Sequence, residues 1–298
     1  MTALGSFRAV GVRRSLLGEG LCYDPSRNTL YWLDIKGERF FRMKLPDGKA
    51  EEIVLPGGLS SLCPTRTGRL AATRRDGFGF IEFDGIEARF IAVADPEEKL
   101  PENRFNDGAA DPFGGYWAGT MKDDEDDSTG SWYRLDASGR TGRLLTGFHV
   151  TNGPAFQADG AVGYLTDSAL GKVHRFRPTS DGLEEYEEFL TIDTQRQGYP
   201  DGMIVDREDC VWIAFWDGAA VRRFTPDGKL IAEFNVPARR PTNVDIIGRT
   251  LFVTTAAIGL NGDELVEDGK LLFAELDRPL GPTTRFTFDD RELAARGL

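Results

Sequence analysis

Short apolar runs separated by turn residues recur along the chain at a nearly constant interval. Each copy begins at one polar or glycine position, runs through a short apolar strand, turns at Asp, Pro, Gly or Asn, and returns as a second apolar strand. The clearest copies span residues 19–32, 106–117, 152–164 and 201–212, and weaker ones begin at Gly58 and Asn243. The second strands lie near Tyr31, Leu70, Tyr116, Gly163, Val211 and Leu251, at intervals of 39 to 48 residues. Six copies at this period predict an all-β, six-bladed β-propeller.

The repeats account for residues 1–298 as a single propeller domain. We place the blades at roughly residues 17–56, 57–103, 104–149, 150–198, 199–240 and 241–288. An N-terminal strand within residues 5–13 is expected to close the last blade beside residues 270–276. No segment keeps a 3.6-residue apolar period, so helix is minor. The acidic segment 183–190 is predicted to be an outer strand, and the C-terminal tail a helical turn or a disordered end.

Composition limits the possible partners. The chain has 48 Asp and Glu against 36 Lys and Arg, a net charge of −12. Nucleic acid and anionic membrane surfaces need positive charge, so neither is expected as a partner; solubility alone accounts for the acidic excess. Cys22, Cys63 and Cys210 have no metal-type or redox-type spacing, and no signal peptide or membrane span is apparent. We expect a cytoplasmic protein that is a monomer or a weak dimer.

The opening position of each repeat carries the candidate chemistry. Equivalent positions of the blades of a propeller face one point near the central channel. We call these six positions the channel ring: Glu19, Gly58, Asn106 (followed by Asp107), Asn152, Asp201 and Asn243. Carboxylate and amide oxygens suit a hard divalent cation. Asn-Gly and Asp-Gly are also common turn dipeptides, so two interpretations remain, a metal site and a set of turns.

Other catalytic patterns are missing from the sequence. The two histidines, His149 and His174, belong to no recognisable Ser/His/Asp set, and we expect His174 to face solvent. There is no G-x-S-x-G elbow, dinucleotide fingerprint or P-loop. The acidic run 123–127 lacks the ligand spacing of an EF-hand. It is predicted to be a hairpin tip whose first residues lean over the channel mouth.

Five linked motifs carry a family resemblance. LGEG (17–20), NRFNDG (103–108), WAGTM (117–121), TNGPAF (151–156) and YPDGM (199–203) resemble the SMP-30/gluconolactonase/regucalcin-like family, in order and over nearly the whole chain. The resemblance implies a six-bladed propeller with one divalent metal in the central channel, and many members hydrolyse sugar lactones. It further implies that Glu19, Asn152 and Asp201 bind the metal and that Arg104 and Asn106 bind substrate. An acidic residue after AGTM, Asp124 or its neighbour Asp123, would also contact substrate.

These observations lead to a functional hypothesis, the metal-dependent hydrolysis of an aldonolactone such as glucono-, arabinono- or xylonolactone. Asp201 is the predicted general base. The cofactor is one divalent cation, with Ca²⁺, Mg²⁺, Mn²⁺, Zn²⁺ and Fe²⁺ all open. Two alternatives remain, a regucalcin-like metal-binding regulatory protein and another ester or organophosphate hydrolase on the same scaffold. Loops at 121–130, 194–200 and 256–268 would decide between substrates.

Overall fold

A computed structural model describes residues 2–46, 48–85, 87–260 and 265–298; residues 261–264 of the predicted substrate loop lie outside this set. The described residues form six four-stranded antiparallel sheets in a closed ring, which confirms the predicted six-bladed propeller. The strands in each blade lie side by side in sequence order, except in the last blade. There the short N-terminal strand β1 (Arg8–Ala9) takes the outer edge.

The first three blades are built as follows. Blade one contains β2 (Gly18–Asp24), β3 (Thr29–Asp34), β4 (Arg39–Lys44) and β5 (Ala50–Val54). Blade two contains β6 (Ser61–Pro64), β7 (Leu70–Arg74), β8 (Gly77–Asp84) and β9 (Glu87–Ala94). Blade three contains β10 (Asn103–Ala110), β11 (Tyr116–Lys122), β12 (Gly130–Leu135) and β13 (Thr141–Phe148).

The second half repeats the plan. Blade four contains β14 (Thr151–Phe156), β15 (Gly163–Asp167), β16 (Lys172–Thr179) and β17 (Gly182–Thr191). Blade five contains β18 (Tyr199–Val205), β19 (Val211–Trp216), β20 (Ala220–Phe224) and β21 (Leu230–Asn235). Blade six contains β22 (Pro241–Ile247), β23 (Thr250–Thr255), β24 (Leu272–Glu275) and β1.

The first strand of each blade lines the central channel. Each of these inner strands packs against the inner strands of the two neighbouring blades, and together they close the ring. Buried aromatic and aliphatic side chains fill the spaces within and between the blades, among them Trp32, Trp117, Trp132 and Trp212. The core therefore surrounds the channel as a set of wedges, and this leaves the polar ends of the inner strands free for a site.

Helix is minor, as predicted, and comprises α1 (Thr194–Gln197) and α2 (Arg291–Ala295) in the described residues. The acidic segment 183–190 lies in the outer strand β17. The C-terminal tail is ordered around α2, whose Leu293 is buried against blades two and three. No helix among the described residues is long and apolar enough to cross a membrane.

The sequence-based limits of the last blade differ from the structure in one respect. Residues 277–288 add no strand to blade six but cross the end of the channel to reach blade two. There Phe288 forms a parallel bridge with Thr65, and its ring is fully buried. The repeat pattern could not show this crossing, because the segment carries no copy of the repeat.

Candidate metal and substrate site

Irregular pairing at the start of the inner strands positions the polar side chains. In five blades the register between the first and second strand shifts at or beside the ring residue, between Glu19 and Cys22, for example, and between Asn152 and Ala155. A bulge of this kind bends the strand and turns a side chain away from its regular direction. Gly20 and Gly153 follow the polar residues with φ of 59° and 90°, a conformation that favours glycine. The Glu-Gly and Asn-Gly pairs thus belong to bulges rather than to hairpin turns.

One cavity of about 460 Å³ opens at this end of the channel. Its wall contains five of the six predicted site residues: Glu19, Arg104, Asn106, Asn152 and Asp201. All five side chains are at least nine-tenths buried. The structure therefore brings together residues from blades one, three, four and five at a single point.

A hydrogen-bond chain orients the amide at the centre of this group. Asn106 Nδ2 donates to the Thr151 carbonyl oxygen at 2.7 Å and lies 3.2 Å from Asn152 Oδ1. Asn152 Nδ2 donates to Ser168 Oγ at 2.8 Å. With its nitrogen held by Ser168, the Asn152 side chain presents its oxygen on the other side. It can therefore act as an oxygen ligand.

Two buried carboxylates, Glu19 and Asp201, face the same cavity, and the neighbouring charges do not offset the cost of burying them. Burial and the nearby charge of Asp107 raise the pKa of Glu19 from an ordinary 4.5 to about 8. Burial, followed by the charges of Glu19 and Asp107, raises the pKa of Asp201 well above its usual range. Burial also raises the pKa of Asp107 to about 7. A divalent cation between Glu19 and Asp201 would remove this penalty on ionisation.

The donor chemistry fits a hard divalent cation. Glu19, Asn152 and Asp201 supply two carboxylates and one amide oxygen, the ligand types that Ca²⁺, Mg²⁺ and Mn²⁺ prefer. Within the described ranges, no group of three or more His, Cys, Asp or Glu side chains is arranged to hold a metal ion. The candidate ligand set therefore combines two carboxylates with the amide oxygen of Asn152.

Arg104 is held rigidly beside the carboxylates. Its Nε donates to Asp123 Oδ1 at 2.7 Å, and its Nη1 donates to Asn106 Oδ1 at 2.6 Å and to the Phe105 carbonyl oxygen at 3.1 Å. The guanidinium group carries five N–H donors in a fixed fork, so donors remain for a ligand in the cavity. Arg104 and Asn106 therefore form one polar wall.

Asp124 is the predicted site residue that does not join this group. It does not line the cavity, and its carboxylate lies 3.3 Å from Lys122 Nζ with its side chain 61% exposed. The acidic loop turns at Glu125, where φ is 62°, so Asp123 points to Arg104 while Glu125 lines the cavity. Of the acidic residues after AGTM, Glu125 therefore lines the cavity, and Asp123 holds Arg104 in place.

The six residues of the channel ring do not all line the same cavity. Gly58 lines a neighbouring cavity, and Asn243 lines a smaller one of about 150 Å³ at the far end of the channel. Asn243 still acts on Glu19: burial raises the pKa of Glu19, and Asn243 is one of the groups that oppose this rise. His174 does not face solvent freely as expected: it is half-buried and stacked on Tyr186 at 4.7 Å between ring centroids.

Several residues of the cavity wall were not predicted individually, although Glu125 and Tyr199 lie in the loops 121–130 and 194–200 that were expected to decide between substrates. Lys36, Glu125, Ser168, Tyr199 and Trp216 all line it. Most follow the second strand of a blade or lie in connections, outside the repeat positions that we compared. Tyr199 immediately precedes the PDG motif, and this proximity is the one signal that could have identified it.

Comparisons with known proteins identify the family of this chain. A model of the SMP-30/gluconolactonase/LRE-like region matches residues 17–257. The chain belongs to this family. Among its family relatives, a 6-deoxy-6-sulfogluconolactonase of Pseudomonas putida is 31% identical over 85% of this chain and 88% of its own. An L-arabinolactonase of Azospirillum brasilense is 32% identical over 86% of both chains. A solved structure within the family, a calcium-binding protein named regucalcin from Agrobacterium tumefaciens, has a TM-score of 0.86 and 28% identity, covering 96% of this chain and 98% of its own.

Proposed function

We propose that this protein is a metal-dependent lactonase that hydrolyses a sugar (aldono-) lactone to the aldonic acid. The observation that carries the proposal is the single cavity into which Glu19, Asn152, Asp201, Arg104 and Asn106 all point. Relatives at 31–32% identity are named for the hydrolysis of sugar lactones, and they cover most of this chain. A cavity of about 460 Å³ is large enough for a sugar ring with its hydroxyl groups.

Glu19, Asn152 and Asp201 would hold the cation. When bound, a divalent metal acts as a Lewis acid that stabilises negative charge developing on the lactone carbonyl oxygen. The burial of the three ligands keeps them in place without water competing for their oxygens. The identity of the cation, among Ca²⁺, Mg²⁺, Mn²⁺, Zn²⁺ and Fe²⁺, remains part of the proposal.

Arg104 and Asn106 would bind and orient the lactone, and Asp201 would also transfer a proton. A carboxylate oxygen of Asp201 would take the proton from the attacking water, because this carboxylate lines the cavity in which the lactone would lie. The Arg104 guanidinium would donate to the ring oxygen or a hydroxyl group of the lactone, and the Asn106 amide oxygen would accept from a hydroxyl group. Asp123 and Thr151 hold these two side chains, so little side-chain entropy is lost on binding.

A regulatory metal-binding protein is the alternative from a different class, and relatives named regucalcin give it a basis. Arg104 and Asn106 argue for catalysis, because a site that only binds an ion needs no buried guanidinium beside it. A hydrolase for other esters or organophosphates would use the same carboxylates with different loops.

The deciding experiment is proton release from glucono-, galactono-, arabinono- and xylonolactone, measured before chelation, after chelation and after restoring single metals. We expect chelation to abolish hydrolysis and one or more metals to restore it. Asp201→Ala should reduce kcat by about 10²-fold or more. The exposed Asp209→Asn variant serves as the matched control and should behave as wild type. Full activity in Asp201→Ala would remove the base assignment; no hydrolysis of any lactone by metal-loaded protein would favour the alternatives.

The proposed partner is the small-molecule lactone itself. Cys22, Cys63 and Cys210 are free and buried. Unpaired thiols are usual in a reducing compartment, which supports a cytoplasmic location as part of the proposal. A monomer or weak dimer is the proposed assembly, since the site described above is complete within one chain.

A further inference from the structure

A second cavity lies beside the candidate site. It also measures about 460 Å³, and it shares Lys36 and Arg104 with the wall of the site cavity. The rest of its wall comes from the end of β7 and from the connections that follow β3, β5 and β7, including Arg74, Arg75 and Gly58. A sugar ring at the metal site would therefore have space next to it for a further substituent, in surroundings rich in cationic side chains.

Three cations converge on one carboxylate where the two cavities meet. Lys36 Nζ lies 2.6 Å from Asp123 Oδ1, Arg104 Nε lies 2.7 Å from the same oxygen, and Arg75 Nη2 binds Asp123 Oδ2. We call Lys36, Arg75 and Arg104 the basic cluster. Partial burial works against ionisation of Asp123, but the hydrogen bond from Lys36 and the charges of Arg104, Lys36 and Arg75 prevail and lower its pKa to about 2. A single ionised carboxylate cannot neutralise three cations.

Other carboxylates lie near the basic cluster: burial lowers the pKa of Arg104, and the charges of Asp123, Glu125 and Glu19 act in the opposite direction. Arg74, in the same wall, is already paired with Asp76 through two contacts of 2.6 Å. Glu38 and Glu125 line the two cavities, but within the described residues neither forms an ion pair with the basic cluster. The side chains of Lys36 and Arg75 are 32% and 47% exposed. Their free N–H donors can therefore reach a ligand.

Building on the lactonase function proposed above, we propose that the basic cluster is a subsite for an anionic group of the substrate. The preferred substrate would be a sugar lactone with a carboxylate, sulfonate or phosphate at the end of its carbon chain. The lactone ring would occupy the site cavity, and the anionic end would lie at the shared wall, where Lys36 and Arg75 donate to it. Charge-assisted hydrogen bonds of this kind are stronger than those to a neutral hydroxyl.

The opposing interpretation is structural. Lys36 belongs to blade one, Arg75 to blade two and Asp123 to blade three, so the cluster also ties three blades together. A purely structural role would lower stability on mutation but would leave the choice between anionic and neutral lactones unchanged. Specificity is therefore the measurement that separates the two.

The experiment compares D-glucaro-1,4-lactone with D-glucono-1,4-lactone, which share a ring and differ by a carboxylate in place of a hydroxymethyl group. We expect wild-type kcat/KM to be about tenfold higher for the anionic member. Lys36→Gln and Arg75→Gln should each lower that ratio about three- to tenfold. Arg89→Gln is the matched control, because Arg89 lies on the outer strand of blade two, is paired with Glu82 and lines neither cavity; it should keep the wild-type ratio. A second pair, 6-phosphoglucono-1,5-lactone and glucono-1,5-lactone, tests phosphate in place of carboxylate.

The subsite proposal would be overturned if the wild-type protein hydrolysed both anionic lactones no faster than their neutral counterparts. It would also be overturned if Lys36→Gln and Arg75→Gln lowered kcat/KM equally for the anionic and the neutral lactone of a pair. Failure of the lactonase proposal is visible separately, as absence of hydrolysis on every lactone. In that event, calorimetric binding of D-glucarate, 6-phosphogluconate and D-gluconate to the metal-loaded protein tests the subsite alone. Tighter binding of D-glucarate or 6-phosphogluconate than of D-gluconate, lost in Lys36→Gln, would support the subsite. Equal binding of all three ligands would overturn it.

Discussion

The buried carboxylates of the candidate site destabilise the folded protein when no cation is bound. Glu19 and Asp201 are buried in one cavity, and each disfavours ionisation of the other. An acid whose pKa is raised by folding keeps its proton in the folded state after the unfolded chain has lost it. For Glu19 this holds between pH 4.5 and about 8. Its contribution to stability in metal-free protein therefore falls as pH rises through that window.

The corresponding prediction concerns Glu19→Gln. In chelated protein at pH 8.5, this variant should unfold roughly 5 °C above wild type, because it removes a buried charge. The difference should shrink towards pH 5. Added Ca²⁺ should raise the Tm of wild type more than that of the variant. Calorimetric scans from pH 5 to 8.5, with and without metal, measure all three effects.

The exposed Glu98→Gln serves as the control for this experiment and should follow the wild-type curve. A Glu19→Gln variant that is less stable than chelated wild type at pH 8.5 would contradict the proposed charge conflict. So would an equal gain from metal in both proteins, because Glu19 would then contribute nothing to binding.

At the scale of the element, a buried aspartate organises the hairpin between the first two strands of some blades. In blade five, Asp206 Oδ1 accepts from the backbone nitrogens of Glu208 and Cys210 at 2.8 and 3.1 Å. Its Oδ2 accepts from Trp212 Nε1 and from Arg223 Nε, both at 2.8 Å. Asp111 forms the equivalent contacts in blade three, with Trp117 and Arg134. The repeat seen in the sequence is thus a shared hydrogen-bond pattern.

Asp206→Ala is predicted to destabilise the protein by about 3 kcal/mol or more, because it leaves the buried guanidinium of Arg223 without this partner. This corresponds to a fall in Tm of at least about 6 °C. Thermal unfolding followed by circular dichroism measures the change. Asp209→Asn, in the same turn at φ 60°, is the control and should be neutral, since asparagine tolerates this conformation. Equal Tm values for both variants would contradict the structural role of Asp206.

At the scale of the whole molecule, both chain ends hold the ring together. β1 pairs with β24 at the edge of blade six. The C-terminal segment crosses to blade two, where Asp290 accepts from Thr67 N at 3.0 Å and from Arg69 Nε at 2.8 Å. The Phe288 ring lies 6.3 Å from Phe80 and 6.2 Å from Tyr116, between centroids. The tail thereby links blades six, two and three at the end of the channel away from the candidate site.

Phe288→Ala should therefore lower global stability by about 3–5 kcal/mol, since it removes a fully buried ring. Lactone hydrolysis at 25 °C should stay near the wild-type rate, because the ring is far from the cavity of Glu19 and Asp201. Unfolding by urea and the proton-release assay measure the two properties. Phe113 is 51% exposed, so Phe113→Ala is the control and should change stability little. Loss of activity without loss of stability would contradict this separation.

Much of this architecture could be predicted from the sequence, because the relevant interactions are local. The alternation of apolar strands and turn residues is repeated six times, and each repeat forms hydrogen bonds mainly within its own blade. The period therefore determined the strand order and the six-bladed fold. The polar residue at the start of each repeat also predicted that Glu19, Asn152 and Asp201 face one point of the channel, and the family resemblance implied that these three bind a metal.

The tertiary structure decided what depends on contacts between blades. It placed Asn243 below the site and Gly58 in the neighbouring cavity, although both share the register of Glu19. It turned Asp123 towards Arg104 and left Asp124 on the surface, because the path of the acidic loop follows its ion pairs with blades one and two. It also brought Lys36 and Arg75 to that carboxylate. No periodic pattern records such distances, since each arises from side chains that are remote in the chain and meet only when the ring closes.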